Sequence, residues 1–368
     1  MKFSYKLLKK FVPALKSHEQ LVDILTAHVF EVESVVGDTV DIKVLPNRFS
    51  DAASHFGIAR EVRAILNELV VSPKPTLNKW IPTQGKLGIP IKIEEKDLCS
   101  RYMARYFEVA NIGESPEWMK NILKDCWMRP INAIVDIMNY VMLETGQPMH
   151  VFDADKLKSI VVRCAHNKEK IETLDGQSFE LSSEDLVIAD ESYALAIAGI
   201  KGGKRAEVKK KSKRLIVEAA NFDGVAIYKT SKMLKLSTDA STRFSHNLAP
   251  NLTVLGLERA TQLLVEICGA KVGEVVDVYP KKFKPTVVKF SLEEFQKISG
   301  LNTSLKEALA YLKQLDFSIK GLLVTAPIYR TDIERMEDLV DEIVRLYGYD
   351  KLPAASPQVI LRPTEHDD

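Results

Sequence analysis

The sequence predicts an α+β protein built of three units. Its 368 residues make two or three domains the expected number. Helix and strand signals are mixed throughout, with a strong hairpin signal at Asp175-Gly176. A proline-spaced stretch and a short basic stretch separate the parts. We therefore predict a small N-terminal α+β unit (1–70), a linker (71–95), a central mixed α/β domain (96–279), a basic linker (280–285), a C-terminal helix–strand unit of winged-helix-like type (286–354) and a tail (355–368).

The composition is that of a globular protein without an overall charge bias. Hydrophobic residues make up 46% and charged residues 27%, and the net charge is +1. Contact with nucleic acid would therefore depend on local patches, such as the lysines of 209–213. The 4 cysteines form no CxxC pair, which favours reduced thiols in a cytosolic protein over a zinc site. The sequence shows no signal peptide and no apolar run of membrane-spanning length, so we predict a cytoplasmic protein.

The N-terminal unit is predicted from its capping and turn signals. Ser17 and Gln20 form a capping box for a helix that runs to Ala27. Alternating apolar residues indicate strands after it. The remaining predicted elements are strands over 31–35 and 39–44, joined at Gly37-Asp38, and a helix over 54–66.

The stretch 128–157 is predicted to be a helix followed by an extended arm. Pro130 suits the first helical position, and apolar residues recur from Ile131 onward at helical spacing, so that they face a core. Gly146 ends the helix in the left-handed conformation. The arm then carries His150 to a rim. Two interpretations remain open on the residues alone: a functional histidine, or a loop histidine held by a neighbouring carboxylate.

The central domain also contains a glycine cluster and a buried acid. Gly199, Gly202 and Gly203 allow a close backbone approach, but they do not form the pattern of a phosphate-binding loop. Glu218 interrupts the apolar strand 215–219, where a carboxylate is unfavourable unless it is paired or serves a ligand. An internal ion pair and a ligand-binding role both stay open. Further predicted elements are strands over 101–108, 160–165 and 186–189 and a helix over 252–268.

The last helix, predicted over 335–347, carries three acids on one face. Asp338, Asp341 and Glu342 occupy positions i, i+3 and i+4, and like charges at this spacing repel each other. A hard cation with oxygen ligands would relieve the repulsion, and Asp332 is close enough along the chain to join them. The alternative is a solvated acidic face.

Several segments resemble the bacterial beta chain of phenylalanine–tRNA ligase. RPINAIVDIMNYVMLETGQPMHVFDADKL is similar to the family's RPINNVVDxTNYVMLExGQPxHAFDxDKL. PIYRTDIERMEDLVDEIVRLYGYDKLP is similar to PxxRxDIxxEEDLVEEIxRIYGYDxIP. ALAIAGIKGG, VEAANF and LSTDASTRFSHNLAP resemble ALAGVMGG, VEAAxF and LRTxASxRFERGVDP. The resemblance covers nearly the whole chain apart from the first linker.

In that family the central domain is an editing site, which hydrolyses tyrosine wrongly esterified to the phenylalanine tRNA. The resemblance implies that Glu218 accepts the tyrosine hydroxyl, while Gly199 and Ala240 keep the pocket open. It also implies that His150 and Asn139 line the pocket, and with Glu218 they are the catalytic candidates. Water would be the attacking group. The sequence departs from the family pattern at Met138, Lys201, Ser245 and Ala249.

The resemblance also implies a cofactor and partners. Asp332, Asp338, Asp341 and Glu342 match positions assigned to Mg²⁺ shared with the alpha chain, although Asp341 replaces the usual glutamate. ATP is used at the site of the alpha chain, and we expect this chain to bind none alone. The expected partners are the alpha chain, in the α2β2 tetramer of the family, and tRNA(Phe). No membrane contact is expected.

Parts of the family's beta chain have no counterpart in the sequence. Only a tight turn at Gly37-Asp38 stands where many bacterial members insert a tRNA-binding barrel, and the C-terminal domains do not follow the last motif. The expected function is therefore a beta subunit of the ligase, or an N-terminal fragment of one, that contributes editing and subunit or tRNA binding. A scaffold without editing activity and a free-standing trans-editing hydrolase are the alternatives.

Overall fold

The protein mixes helices and sheets, which confirms the predicted α+β class. The computed structural model describes residues 1–68 and 88–352. Most of the predicted first linker and the predicted tail, 355–368, lie outside the described residues. No helix among the described residues is long and apolar enough to cross a membrane.

The N-terminal residues form an antiparallel sheet with helices against it. The elements are β1 (Lys2–Ser4), α1 (Tyr5–Phe11), α2 (His18–His28), β2 (Val32–Val36), β3 (Thr39–Ile42), α3 (Phe49–Ala52) and α4 (His55–Leu66). The strand order is β1-β3-β2. Ser17 and Ser54 begin α2 and α4, because each side chain accepts a hydrogen bond from the backbone N–H three residues later. Gly37, at φ +59°, makes the predicted turn between β2 and β3.

The central domain contains two sheets and several helices. Its elements are β4 (Ile91–Ile93), β5 (Cys99–Glu108), α5 (Glu117–Asp125), α6 (Ala133–Thr145), β6 (Met149–Asp153), β7 (Ile160–Cys164), β8 (Glu169–Glu172), β9 (Ser178–Leu181), β10 (Leu186–Ala189), β11 (Ala194–Ile197), β12 (Lys201–Gly202), β13 (Arg214–Phe222), α7 (Gly224–Met233), α8 (Asp239–Phe244), α9 (Leu252–Cys268) and β14 (Lys271–Val278). The sheet orders are β14-β5-β13-β6 and β12-β11-β10-β7-β4, and β8 and β9 form the predicted hairpin.

The four-stranded sheet lies between two hydrophobic cores. Along β13, Leu215 and Val217 belong to the core that contains residues of α6 and α9. Ile216 and Ala220 belong to the core against the five-stranded sheet. Successive side chains of a strand point to opposite faces. Glu218 therefore points into the space between the two sheets.

The end of the predicted first linker contains a short strand of the central domain. Residues 91–93 form β4, which pairs in parallel with β7, so that Ile91 lies opposite Ile160. A three-residue strand has too few residues to show a periodicity. Its partner lies far along the chain, so the pairing leaves no local signal.

Helix α6 begins later than predicted. Asn132 accepts hydrogen bonds from two backbone N–H groups at 3.1 Å and is the N-cap, so Pro130 lies before the helix. Ile131 is accordingly 66% exposed and does not face the core. Gly146 ends the helix at φ +87°, as predicted. The arm that follows is β6, whose pairing with β13 places His150 within a sheet.

The C-terminal residues form a second, smaller helix–strand arrangement with its own core. The elements are β15 (Val287–Lys289), α10 (Leu292–Ser299), α11 (Leu305–Gln314), β16 (Ser318–Lys320), β17 (Leu323–Thr325) and α12 (Met336–Tyr347). The strands form an antiparallel sheet in the order β15-β17-β16. Phe290, Phe295 and Leu339 lie at the centre of the core and are fully buried.

The N-terminal residues do not have a core of their own. Phe3 and Ile58 belong to the same cluster of buried side chains as Tyr140 of α6 and Leu263 of α9. The predicted division into three units is therefore not confirmed in that form. The N-terminal part and the helical side of the central domain form one packed body.

Candidate functional site

Glu218 and His150 lie opposite each other on neighbouring strands. The antiparallel register of β13 and β6 pairs these two residues directly, and the next pair on the same face is Ile216 with Phe152. Directly opposite residues have Cβ atoms about 5 Å apart. The sheet thus brings a carboxyl and an imidazole together between the two sheets.

A cavity of about 70 Å³ adjoins this pair. Gly199 lies at its edge with φ +67°, a conformation that residues with a side chain rarely adopt. A Cβ at this position would come within 3.0 Å of Phe244 and 3.1 Å of Phe222. Glycine therefore keeps this part of the cavity open. Four of the predicted site residues line the cavity, namely Glu218, His150, Gly199 and Ala240.

Glu218 is buried without a partner. It is 4% exposed, and its Oε2 atom has no hydrogen-bond partner of adequate geometry among the described residues. Burial raises the pKa of Glu218 to about 8, and the nearby Tyr102 hydroxyl partly offsets this rise. Of the two interpretations of this acid, the internal ion pair is not present in the described part of the chain. The carboxyl remains available to a ligand.

His150 is held neutral by its surroundings. Burial lowers the pKa of His150 to about 4, although the ring keeps some exposure where it meets the cavity. The ring packs edge-on against Phe152, with centroids 4.6 Å apart. Within the described chain, neither ring nitrogen has a hydrogen-bond partner. One nitrogen can therefore donate and the other can accept toward a ligand or a water.

Asn139 lines a second, larger cavity beside the first. This cavity has a volume of about 360 Å³ and shares Met149 and His150 with the smaller one. Asn139 and Met138 line it from α6, and Leu174 lines it from the loop between β8 and β9. The structure therefore brings Asn139 close to His150, but in the neighbouring cavity and not beside Glu218.

Gly202 and the neighbouring Lys201 have roles that the sequence did not assign. Gly202 lies against His150, because a Cβ there would be 2.4 Å from the Cε1 atom of the ring. Lys201 lines the smaller cavity and forms an ion pair with Asp175 at 3.1 Å. In the sequence, the clustering of glycines indicated a close approach at Gly202 but not which residue approaches it. The ion pair has no local signal, since its partners lie on separate hairpins.

The acids of the last helix lie in a buried charge network. Glu342 accepts two hydrogen bonds of 2.8 Å from Arg330 and also pairs with Arg345. Asp332 accepts two further hydrogen bonds of 2.8 Å from Arg330. Arg345 reaches Glu61 of α4 at 2.6 Å. The network therefore joins the C-terminal residues to the N-terminal ones.

Arg48 completes this network on the N-terminal side. It pairs with Asp51 at 2.6 Å and with Glu61, and its Nη1 atom lies 3.8 Å from Glu342. Burial by itself would raise the pKa of Glu342. The neighbouring Arg330, together with the other two arginines, outweighs burial and holds that pKa well below its usual range.

The four predicted magnesium ligands line one cavity of about 320 Å³, but they are already engaged. Arginine binds Asp332 and Glu342, Asp338 accepts two backbone N–H groups at the start of α12, and Asp341 accepts the Tyr349 hydroxyl at 2.6 Å. Among the described residues, no three acidic, histidine or cysteine side chains form a group that could hold a metal ion. The four acids therefore do not fit a Mg²⁺ site made by this chain alone.

Two domain families match the chain. The B3/4 domain matches residues 98–269, which contain both cavities around His150. The tRNA synthetase B5 domain matches residues 288–349, which contain α12 and its acids. These two matches indicate the class of aminoacyl-tRNA synthetase chains.

Curated relatives specify the family further. The chain is 38% identical over 340 residues to the phenylalanine–tRNA ligase beta subunit of Desulfotalea psychrophila, covering 89% of this chain and 41% of that protein. It is 39% identical over 325 residues to the beta subunit of Carboxydothermus hydrogenoformans, covering 86% and 40%. The chain belongs to the family of phenylalanine–tRNA ligase beta chains. It spans about two-fifths of the length of these relatives.

A solved structure has the same fold. The chain is similar to an N-terminal fragment of the phenylalanyl-tRNA synthetase beta subunit from Pyrococcus horikoshii, with a TM-score of 0.52 and 15% identity. The alignment covers 94% of this chain and 99% of the fragment. At this identity the likeness concerns the fold alone.

Proposed function

We propose that the chain serves a phenylalanine–tRNA ligase by hydrolysing tyrosine that is wrongly attached to tRNA(Phe). The observation that carries this proposal is Glu218 at the edge of a cavity, a buried carboxyl whose Oε2 atom has no hydrogen-bond partner among the residues that the structure describes. Tyrosine differs from phenylalanine by one hydroxyl. A buried acceptor stays unpaired when phenylalanine enters, and a site of this kind can discriminate by orders of magnitude.

The ring of the substrate needs more room than the smaller cavity provides. That cavity has about 70 Å³, whereas a dry cavity that binds benzene has about 150 Å³. Met149 lines both this cavity and the larger one of about 360 Å³. An unbranched thioether side chain changes rotamer easily. The tyrosyl ring would enter through the larger cavity and displace Met149 on its way to Glu218.

Water is the attacking group in this proposal. It adds to the ester carbonyl carbon, the ribose oxygen leaves with a proton, and free tyrosine is released. Neutral His150 would hold the water through an uncommitted ring nitrogen, and Asn139 would hold the ester or ribose end in the larger cavity. Burial raises the pKa of the Cys99 thiol far above neutrality, so this thiol remains protonated and is a poor nucleophile.

We further propose that this chain takes part in the same subunit assembly as other members of its family. Its partners would be an alpha subunit, in an α2β2 tetramer, and tRNA(Phe). Attachment of phenylalanine with ATP would take place at the alpha-subunit site. The support for this part is the family membership over 89% of the chain, together with the B5 domain at its C-terminal side.

The experiment is a deacylation assay with tyrosyl-tRNA(Phe) and phenylalanyl-tRNA(Phe). The wild-type chain should release tyrosine roughly 10⁴-fold faster than phenylalanine, the lower end of the discrimination expected of a site that hydrogen-bonds a substrate hydroxyl. Glu218→Ala should release both at similar rates. Glu180→Ala, an exposed acid of β9, is the matched control and should behave as wild type. Selectivity that survives in Glu218→Ala would overturn the assignment.

The same assay separates the two alternatives. A scaffold would assemble with the alpha subunit and release no tyrosine in any variant. A free-standing editing hydrolase would reach its full rate without the alpha subunit. Full selectivity only in the assembled complex would agree with the proposed subunit role.

A further inference from the structure

Two buried polar groups in the central domain lack partners and lie next to each other. The Tyr102 hydroxyl and the Oε2 atom of Glu218 are enclosed, and neither has a hydrogen-bond partner of adequate geometry in the described part of the chain. Tyr102 is 0% exposed. Leaving such a group unsatisfied costs about 1–3 kcal/mol, so each instance in a native structure calls for an explanation.

The sheet register explains why the two groups are close. Glu218 of β13 lies opposite Ala104 of β5, and Tyr102 lies opposite Ala220, so both side chains are on the same face. Diagonal neighbours of this kind are about 7–8 Å apart at the backbone, within reach of an aromatic side chain. The hydroxyl is close enough to affect the pKa of Glu218. A small rotation of the carboxyl would complete the hydrogen bond.

Tyr102 adjoins Glu218 but does not belong to the described lining of the cavity, which includes Glu218. Burial, followed by the proximity of Glu218, raises the pKa of Tyr102 well above its ordinary value. The hydroxyl therefore keeps its proton and can only be the donor toward a carboxylate.

We propose that Tyr102 is a positioning residue, which holds one oxygen of Glu218 so that the other oxygen meets the phenolic hydroxyl of the substrate. This inference rests on the proposed editing function. The carboxyl would then lie between two phenols, one from the protein and one from the substrate. A phenylalanine ring supplies no second phenol, so the carboxyl would remain half-paired.

Three other groups face the carboxyl or share its cavity. His150 lies opposite it on β6 and stays neutral above pH 5, because burial lowers its pKa to about 4. Burial keeps the Cys99 thiol protonated. Lys201 lines the cavity and is paired with Asp175. Between pH 6 and 9 the carboxyl of Glu218 is therefore the group at this site whose charge changes.

The test is Tyr102→Phe, which removes one oxygen and keeps the ring that packs in the core. Selectivity for tyrosyl-tRNA over phenylalanyl-tRNA should fall about tenfold, the size of one hydrogen bond to a charged group. In the wild type, selectivity should rise with pH near 8, because the carboxylate is the stronger acceptor. In the variant this rise should occur at higher pH, since the hydroxyl no longer stabilises the charge. Rates are corrected for spontaneous hydrolysis of the ester at each pH.

Tyr106→Phe is the matched control. Tyr106 lies on the same strand and face, but its hydroxyl donates to Glu108 at 2.9 Å. Its removal should change neither the selectivity nor the pH profile. Urea unfolding of Tyr102→Phe at pH 6, where Glu218 is mostly protonated, should show a variant as well folded as wild type, because the ring that packs in the core is kept. Thus a loss of selectivity cannot be attributed to unfolding.

The outcomes distinguish this inference from the proposed function. If the wild type shows no selectivity, the proposed function fails and the inference fails with it. If Glu218→Ala loses selectivity while Tyr102→Phe keeps both the wild-type selectivity and the wild-type pH profile, the inference is overturned and the proposed function stands. A shifted profile in Tyr102→Phe, with Tyr106→Phe unchanged, supports it.

Discussion

Glu218 and Glu342 are both buried glutamates, yet they lie in opposite surroundings. Glu342 lies within reach of three arginines, and its pKa is held well below the usual range. Glu218 has no ion-pair partner within the described part of the chain, and burial raises its pKa to about 8. The first carboxyl joins distant parts of the chain through Arg48, whereas the second adjoins a cavity.

The difference shows that burial alone does not define the role of a carboxyl, which depends on whether the chain supplies partners for it. Burial is unfavourable in both places, but arginines offset it only around Glu342. An acid whose oxygens are all occupied by the chain itself has no capacity left for a ligand. An acid that the fold leaves unpaired keeps that capacity at the expense of stability. The two sites can therefore be tested with the same substitution, glutamate to glutamine.

The largest effect on stability is expected for Glu342→Gln. The substitution leaves buried Arg330 and Arg345 without their shared partner, which should lower the free energy of unfolding by about 3–5 kcal/mol. Urea unfolding at pH 7.5 measures this loss. Glu337→Gln on the exposed face of the same helix is the control and should change stability by less than about 0.5 kcal/mol. Similar small losses in both variants would show that the network does not stabilise the fold.

Glu218→Gln is expected to raise the free energy of unfolding at alkaline pH, the opposite of the effect of Glu342→Gln. The folded-state pKa of Glu218 is raised from 4.5 to about 8, so its contribution to stability is fully present below pH 4.5 and is lost as the pH rises toward 8. Glutamine carries no charge to bury, and the variant should be more stable than wild type by on the order of 4 kcal/mol at pH 8. Urea unfolding between pH 5 and 8 measures the difference. A constant difference across this range would contradict the raised pKa.

The smallest effect is expected on removal of divalent ions. Because arginines and hydrogen bonds already occupy the four acids of the predicted magnesium site, EDTA should shift the unfolding temperature of the chain by less than about 1 °C, equivalent to a few tenths of a kcal/mol. Differential scanning calorimetry with EDTA and with 5 mM Mg²⁺, roughly a saturating dose, measures this. If Mg²⁺ raises the unfolding temperature by several degrees and Glu342→Gln abolishes this rise, the chain does bind the metal at these acids.

Local signals in the sequence predicted much of the fold and part of the site. Caps, glycines and alternation located helix α9, the β8–β9 hairpin and the strand that carries Glu218. The same signals explain why Gly199 and Gly146 adopt positive φ. The resemblance supplied the set of residues around the cavity, and the structure brings four of these together.

Features that depend on distant contacts could not be predicted. The parallel pairing of β4 with β7 and the ion pairs of Arg48 with Glu342 and of Arg345 with Glu61 involve residues far apart in the chain. Helical spacing placed the acids of α12 along one cavity, but spacing says nothing about Arg48 and Arg330, which reach Glu342 from outside the helix. Similarly, Tyr102 occupies an ordinary strand position, and its unpaired hydroxyl follows only from the register of β5 with β13.

The order of synthesis has a consequence for the charge network. Glu61 and Arg345 are separated by 284 residues. At roughly 5–20 residues per second, a ribosome makes Arg345 roughly 15 s to 1 min after Glu61. During this interval helix α4 has Arg48 as a partner for Glu61 but lacks Arg345. Glu61 of helix α4 thus acquires its full set of ion pairs only when Arg345, made 284 residues later, reaches it.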